Sequence, residues 1–423
     1  MGDAASYILD VIVIGAGHAG LSTSYFLSEN KLTHIVLERG QVGESWNSQR
    51  WDSFTLNTPN HMNKLPGERN TNSNPEGFLL RDEVVTKLKN YAGSFQLPVQ
   101  EYAIVTSVTK LPGTDYFSVI VECDHQDKQW MCKQVVIASG SMSAPVIPAM
   151  SHCLSRNIFQ LHVAQYRNAS LLPEGAVMVV GGGQSGCQVA EDLVAGGRTV
   201  YLASSNVGRV PRRYRGKDVL DWLTRMNYYD VLKDTVTDPN EFNVTTPLVS
   251  GVGIRGHTVS LQSLHKQGVQ ILGRLKNIEN DTIIFDTNAG EHVRCGDDFS
   301  ENIKARIDNY ILQSGIPSNE SEEDEADQPD INASCAQLVS SVNCNDKNIN
   351  TVIWTTGFTG DFSWIHLPVL TQDGKPIHHN GVSPLPGLYF IGFPWLRSRK
   401  SGILYGITDD AAFIVSEIMK YQS

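Results

Sequence analysis

Val-Ile-Gly15-Ala16-Gly17-His18-Ala19-Gly20 places three glycines at the spacing of a loop that can hold a diphosphate. The first glycine permits a tight turn and the second lets backbone approach the phosphates. The third lets a helix pack on the preceding strand, so that the helix dipole faces the anion. Eighteen residues beyond Gly20 stands Glu38, followed by Arg39, where a carboxylate can take the two hydroxyls of a ribose. The pattern then returns as Val-Val-Gly181-Gly-Gly183-Gln184-Ser185-Gly186. The same count from Gly186 reaches Ser204 instead of an acid, with Ser205, Arg209 and Arg212 close behind. A carboxylate there would repel a 2′-phosphate, whereas hydroxyls and guanidinium forks accept one. The second loop is therefore read as an NADPH site, with NADH as the other coenzyme it admits. Hydride must pass from a nicotinamide to something, and a flavin is the natural receiver, which makes the first loop an FAD site.

The elements that must position these loops follow strand and helix grammar. Val11 to Ile14 and Thr33 to Leu37 read as strands around a helix from Gly20 to Glu29. A helix from Arg81 to Phe95 and a strand from Val135 to Ala138 come next. After prolines between Pro145 and Pro148 the grammar restarts: strand Val177 to Val180, helix Ser185 to Ala195, strand Thr199 to Leu202. Short β structure is expected within Ile271 to Asp286 and a helix from Asp298 to Gln313. Strands at Thr351 to Trp354 and Leu388 to Ile391 precede a closing helix from Asp409 to Lys420. The fold class is α/β, with two Rossmann-like dinucleotide-binding domains, the second inserted in the first. Expected limits are 1–165 for the first part of the FAD domain, 166–345 for the NADPH domain and 346–423 for the second part of the FAD domain. The acidic run Ser318 to Asp330 reads as a solvated loop. The aromatic-rich Tyr214 to Tyr229 reads as core or as the border of a cleft.

Composition narrows the function classes. With 41% hydrophobic and 19% charged residues, 423 residues make an ordinary globular chain of two or three domains. A net charge of −11 repels nucleic-acid phosphates and anionic membranes, so neither is an expected partner; a small molecule is. Seven cysteines without a C-x-x-C pair fit reduced thiols in a cytoplasmic protein. The N-terminal apolar stretch is interrupted by glycines and reads as a strand, not a signal peptide or a membrane span.

Several further motifs, in order over most of the chain, resemble those of the flavin-containing monooxygenases, the class B single-component branch of the two-dinucleotide-binding-domain flavoproteins. Gly43-Glu-Ser-Trp46 resembles the family's G-G-x-W. Ser139-Gly140 and Thr355-Thr356-Gly357-Phe358 stand where the family has its two A-T-G segments. His162 and Tyr166 fit the end of its domain-linking fingerprint, although Arg156 and Ile158 replace the leading Phe and Gly. Trp51 to Asn60 looks like the T-N-T segment whose asparagine lies over the flavin; Asn57 is the matching position and Asn60 the alternative one turn away. Phe390-Ile-Gly392-Phe-Pro-Trp395 with Lys400-Ser401-Gly402 resembles the flavin-proximal strand and loop.

The resemblance implies a defined chemistry. NADPH would reduce FAD, dioxygen would add at flavin C4a, and the resulting hydroperoxide would oxygenate a small nucleophile: an amine, a sulfide, or a carbonyl in a Baeyer–Villiger step. Asn57 would hydrogen-bond the peroxide; His162 is a hinge, a coenzyme contact or a structural histidine. The flavin carries the reaction, consistent with a sequence without a catalytic triad, a carboxylate dyad or a metal cluster. A homodimer is common among the enzymes it resembles. The alternative is an NAD(P)H-dependent flavoprotein reductase passing electrons to a quinone or a partner protein.

Overall fold

The computed structural model describes residues 8–69, 74–123, 125–243, 246–336 and 338–422; the outer domain limits at 1 and 423 lie outside them. A continuous apolar run marks a strand covered on both faces. β1 (Leu9–Ile14) is such a strand, and its Val11, Ile12 and Val13 are fully buried. It leads into α1 (His18–Glu29) and the parallel β2 (His34–Leu37). Beyond α2 (Arg81–Ser94), β3 (Val99–Gln100) extends the sheet. β4 (Ile104–Lys110), β5 (Phe117–Cys123) and β6 (Gln126–Ile137) form an antiparallel meander whose last strand ends beside β1. The sheet order is β3-β2-β1-β6-β5-β4. The strand expected at Val135 to Ala138 covers only the end of β6. Its first half lies at the exposed end of the meander, where no apolar run marks it.

The second sheet comprises β7 (Phe159–His162), β8 (Ala176–Val180), β9 (Val200–Ala203), β10 (Gln270–Leu272) and β11 (Ile349–Trp354), in the order β10-β9-β8-β11-β7. All of its pairings are parallel. α3 (Gln184–Ala195) follows β8, and α4 (Ala289–Ser314) covers the unit further on. Two boundary expectations are corrected here. β7 begins before residue 166 and β11 lies after 345, yet both belong to the second sheet, because the backbone groups on both edges of the buried β11 need hydrogen-bond partners and find them in β8 and β7. The chain then returns through β12 (Leu388–Phe390), parallel to β6, and ends in α5 (Ile407–Gln422), which packs on α1.

The acidic run is solvated only in part. Residues 318–323 are exposed, but Asp324 accepts from Thr258 at 2.5 Å, and the buried Asp327 accepts from Ser300 at 2.5 Å and Lys304 at 2.8 Å. Tyr214 to Tyr229 is largely core: Asp218 caps a short helix (Val219–Arg225) that buries Trp222 completely. Among the described residues no helix is long and apolar enough to cross a membrane.

Candidate functional site

The two glycine loops have the same geometry. Gly15 has φ of +108° and Gly181 of +115°, a left-handed region that favours glycine. A Cβ on Gly20 would lie 1.9 Å from the Gly15 carbonyl oxygen, and one on Gly186 1.8 Å from that of Gly181. By contrast, a Cβ on Gly17 or Gly183 would meet nothing within 4 Å. The first and third glycines thus serve packing within the protein, while the second faces open space. α1 and α3 begin at these loops with neither a capping side chain nor an acid in the first turn. Every other α-helix among the described residues has one or the other. Their leading amides are therefore left for an external anion, which the helix dipole attracts.

At the first loop the remaining pieces gather at the carboxyl ends of parallel strands, where dinucleotides bind in open α/β sheets. Glu38 follows β2, buried, and accepts from Ala16 N–H at 2.7 Å and Gly40 N–H at 3.1 Å. Burial raises its carboxyl above the ordinary range, and those two amides oppose the rise. Arg39 beside it is exposed. Gly43 donates to the Ala16 carbonyl at 3.1 Å, and Trp46 packs against the first core. Ser139-Gly140 follows β6; a Cβ on Gly140 would meet only open space. Gly392 follows β12, and a Cβ there would lie 2.8 Å from that of Ala19 on α1. His18 Nε2 and Ser139 Oγ are buried without a protein partner. An open cradle, free helix amides and orphaned polar atoms fit a dinucleotide.

At the second loop the register differs by one residue from the sequence count. Gly182 N–H, equivalent to that of Ala16, donates to Ser205 Oγ at 3.2 Å. Ser205 thus takes the place of Glu38. Ser204 is turned inward, where it bonds the Leu272 carbonyl at 2.5 Å and meets His292 Nδ1 at 2.8 Å. Arg209, expected at a 2′-phosphate, is buried and bonded to Asp297 and Asp327. Arg212 is likewise buried, paired with Asp218, and donates to the Asn57 carbonyl at 2.8 Å. Two such cations are consumed by internal carboxylates because unpaired burial would be costly. Gln184 is also committed, its amide exchanging two bonds with the Val249 backbone.

Other expected residues separate into those the geometry gathers and those it does not. Asn57 reaches the second unit: its Oδ1 accepts from Gln188 of α3 at 3.0 Å and from Gly251 N–H at 3.2 Å. Asn60 turns away and donates to the Asn74 carbonyl at 2.9 Å. Both His162 nitrogens are engaged, Nδ1 by Ala164 N–H at 3.2 Å and Nε2 by the Gly357 carbonyl at 2.9 Å. Thr356 donates to the Val146 carbonyl at 2.5 Å. Thr356 and Gly357 therefore join the units at the end of β11 and do not lie on the first sheet. Lys400 pairs with Asp230 at 2.7 Å and Asp409 at 2.6 Å, and Ser401 accepts from two turn amides. Neither side chain is free for a ligand.

A cavity of about 110 Å³ lies at the junction, lined by Gln49, Arg50, Trp51, Ser185, Gly357 and Phe358 among others. Sequence reading missed Arg50 and Gln188. Gln188 carried a signal, standing four residues after Gln184 on the same helix face. Among the described residues no group of His, Cys, Asp and Glu side chains could hold a metal ion.

Two sheets, each with a parallel βαβ unit whose first strand runs through a glycine loop into an uncapped helix, define an oxidoreductase of the two-dinucleotide flavoprotein class. The chain belongs to the pyridine nucleotide-disulphide oxidoreductase family, whose model matches residues 12–236. It is 33% identical over 411 residues to the uncharacterized oxidoreductase CzcO of Bacillus subtilis (strain 168), covering 97% of this chain and 99% of that protein. A probable indole-3-pyruvate monooxygenase of Arabidopsis thaliana, YUCCA1, is 26% identical over 416 residues, covering 96% and 89%. Among solved structures, the flavin-containing monooxygenase from Stenotrophomonas maltophilia matches with a TM-score of 0.66 at 19% identity, covering 98% of this chain and 99% of that one. The fold is that of the flavin-dependent monooxygenases.

Proposed function

We propose that this chain is a flavin-dependent monooxygenase that holds FAD at the first loop and NADPH at the second. In the overall reaction NADPH, a proton, dioxygen and a small nucleophile give NADP⁺, water and the oxygenated product. Bound FAD would supply the hydride acceptor and the centre that activates dioxygen. The observation that carries the reading is the pair of open, uncapped glycine cradles, linked across the junction by Asn57 and Gln188. The α1 amides would bind the FAD diphosphate and Glu38 its ribose. The α3 amides would bind that of the coenzyme, and Ser205, uncharged where Glu38 is anionic, would tolerate a 2′-phosphate. Because Asn57 Oδ1 is already held by two donors, its Nδ2 protons remain available to the reacting face. The names of the relatives support the class: one is a probable indole-3-pyruvate monooxygenase and another a flavin-containing monooxygenase.

A disulfide-reducing alternative would need a redox-active cysteine pair, and the sequence has no C-x-x-C. Cys187 on α3 is buried, its thiol pushed up by desolvation. The test is to reduce the purified yellow protein with NADPH, mix it with dioxygen, and follow the oxidised flavin band together with ¹⁸O incorporation into amine, sulfide and ketone substrates. A lag before the band returns, with label in the product, is expected. Immediate return with hydrogen peroxide and no labelled product would reject the reading.

A further inference from the structure

Arg50 is a half-buried cation that pairs with no carboxylate among the described residues. Of its five N–H groups one is used, Nη1 donating to the Gln49 carbonyl at 2.9 Å. The guanidinium otherwise rests near the rings of Trp46 and Phe54, at 5.3 and 5.6 Å. Arg209 and Arg212 face aspartates, and the carboxylates beside Arg81 and Arg215 raise those two above the ordinary arginine value. Desolvation pulls down both Arg212 and Arg50; Asp218 opposes it at Arg212, whereas at Arg50, lowered to about 10, nothing does.

Its position is fixed from behind. The Arg50 carbonyl accepts from Arg167 at 2.8 Å and from Arg81 at 3.4 Å, so two further cations hold the segment in place. Gln49 Oε1 beside it is buried without a partner. Across the same cavity stands Ser185, in the first turn of uncapped α3. A guanidinium with four free donors thus shares a small space with a helix N-terminus that has its own anion requirement. The cavity is below the few hundred Å³ of a whole-ligand site, so it suits one group of an extended ligand.

We infer that Arg50 is a diphosphate clamp: its guanidinium holds the coenzyme diphosphate from the first unit while the α3 amides hold it from the second. The inference rests on the proposed coenzyme role of the second loop. Bidentate guanidinium–phosphate bonds are charge-assisted and strong, and a ligand held from both walls joins the two units when it binds.

The experiment titrates FAD-loaded wild type, Arg50→Gln and Arg50→Lys with NADP⁺ and with NAD⁺, following flavin or protein fluorescence. Both coenzymes carry the diphosphate, so Arg50→Gln should raise both dissociation constants by the same factor, about 10- to 100-fold. FAD content and unfolding temperature should hold, and Arg50→Lys should recover part of the loss. Unchanged dissociation constants in Arg50→Gln would overturn the clamp. So would unchanged coenzyme binding combined with a raised KM for an anionic substrate, which would make Arg50 a substrate residue. Parallel loss of FAD in both variants would reduce it to a support of the first loop. Failure of the wild type to bind either coenzyme would instead reject the proposed function itself.

Discussion

Ser205 stands in the second unit where Glu38 stands in the first. Ala16 N–H donates to Glu38 Oε2 at 2.7 Å, and the equivalent Gly182 N–H donates to Ser205 Oγ at 3.2 Å. The same backbone cradle therefore carries an anionic reader in one copy and a neutral one in the other, a difference that bears on coenzyme choice.

Ser205→Glu should weaken NADPH relative to NADH by about tenfold or more, since a carboxylate facing the 2′-phosphate adds like-charge repulsion of at least about 1.4 kcal/mol. Arg274 is exposed just past β10, whose Leu272 carbonyl accepts from Ser204. Arg274→Ala should raise KM for NADPH and spare NADH. Arg209→Ala should leave the coenzyme ratio unchanged and instead cost about 3–5 kcal/mol of stability, because Asp297 and Asp327 lose a buried partner. Steady-state kinetics with both coenzymes and a denaturant titration separate these outcomes; an altered ratio in Arg209→Ala would restore that residue to the site.

The amide of Asn57 is oriented by Gln188 and Gly251, which both donate to Oδ1, and in the proposed function Nδ2 is the donor to the reacting face. Asn57→Asp keeps the acceptor for both partners but removes the donor and adds charge, whereas Asn57→Ala removes everything. Both variants should release more hydrogen peroxide per NADPH consumed, with Asn57→Asp binding the coenzyme as wild type does. One lost buried hydrogen bond is worth about 1–3 kcal/mol, so the coupled rate should fall about 5- to 150-fold. Wild-type coupling in Asn57→Asp would remove the amide from the reacting face.

The residues legible from sequence were those whose roles are local. Gly15, Gly17 and Gly20 act through backbone geometry within one loop, and the apolar runs of β1 and β8 need only covered faces. Charged side chains were misread because their partners are distant in sequence. Arg209 is neutralised by Asp297 and Asp327 and Arg212 is seated under Asn57, facts that depend on how α4, the acidic segment and the first unit fold together. Of the two serines expected at the second loop, only Ser205 meets the loop amide, and counting positions could not choose between them because it does not register the turn after β9. Arg50 escaped notice since an unpaired cation is recognised only when every possible partner has been placed.

His18 should make the flavin-free protein acid-sensitive. Burial pulls its imidazole from 6.5 to about 4, with Nε2 unpartnered. Between those values the unfolded chain binds a proton that the folded chain refuses. Stability therefore falls as pH drops from about 6.5 towards 4 and is fully present above. The full displacement corresponds to about 3 kcal/mol. Urea unfolding of flavin-free wild type and His18→Gln across this range should show the variant with a shallower slope by about one proton. FAD should flatten the wild-type slope too, since a diphosphate at the loop favours the imidazolium. Identical slopes in variant and wild type would assign the acid sensitivity to other desolvated histidines such as the half-buried His378, also held at about 4.

His162 is predicted to position the junction and to transfer no proton. Its Nδ1 accepts from Ala164 N–H, so the ring proton sits on Nε2 and is donated to the Gly357 carbonyl, while Phe358 packs edge-on at a centroid distance of 4.7 Å. Desolvation lowers its pKa from the ordinary histidine value, against the hydrogen bond to Gly357, and so favours the neutral imidazole. His162→Ala removes two hydrogen bonds and a buried ring, for a loss of about 2–4 kcal/mol in stability. Slack between β7 and the Thr355–Phe358 turn should then raise KM for the coenzyme. The pH profile of flavin reduction should keep its shape, because neither nitrogen is free to exchange a proton with bound ligand. His162→Gln, which can still donate to the Gly357 carbonyl, should recover part of both losses. Disappearance of one limb of the profile in His162→Gln would show instead that the imidazole titrates during turnover, and would return His162 to the reacting groups.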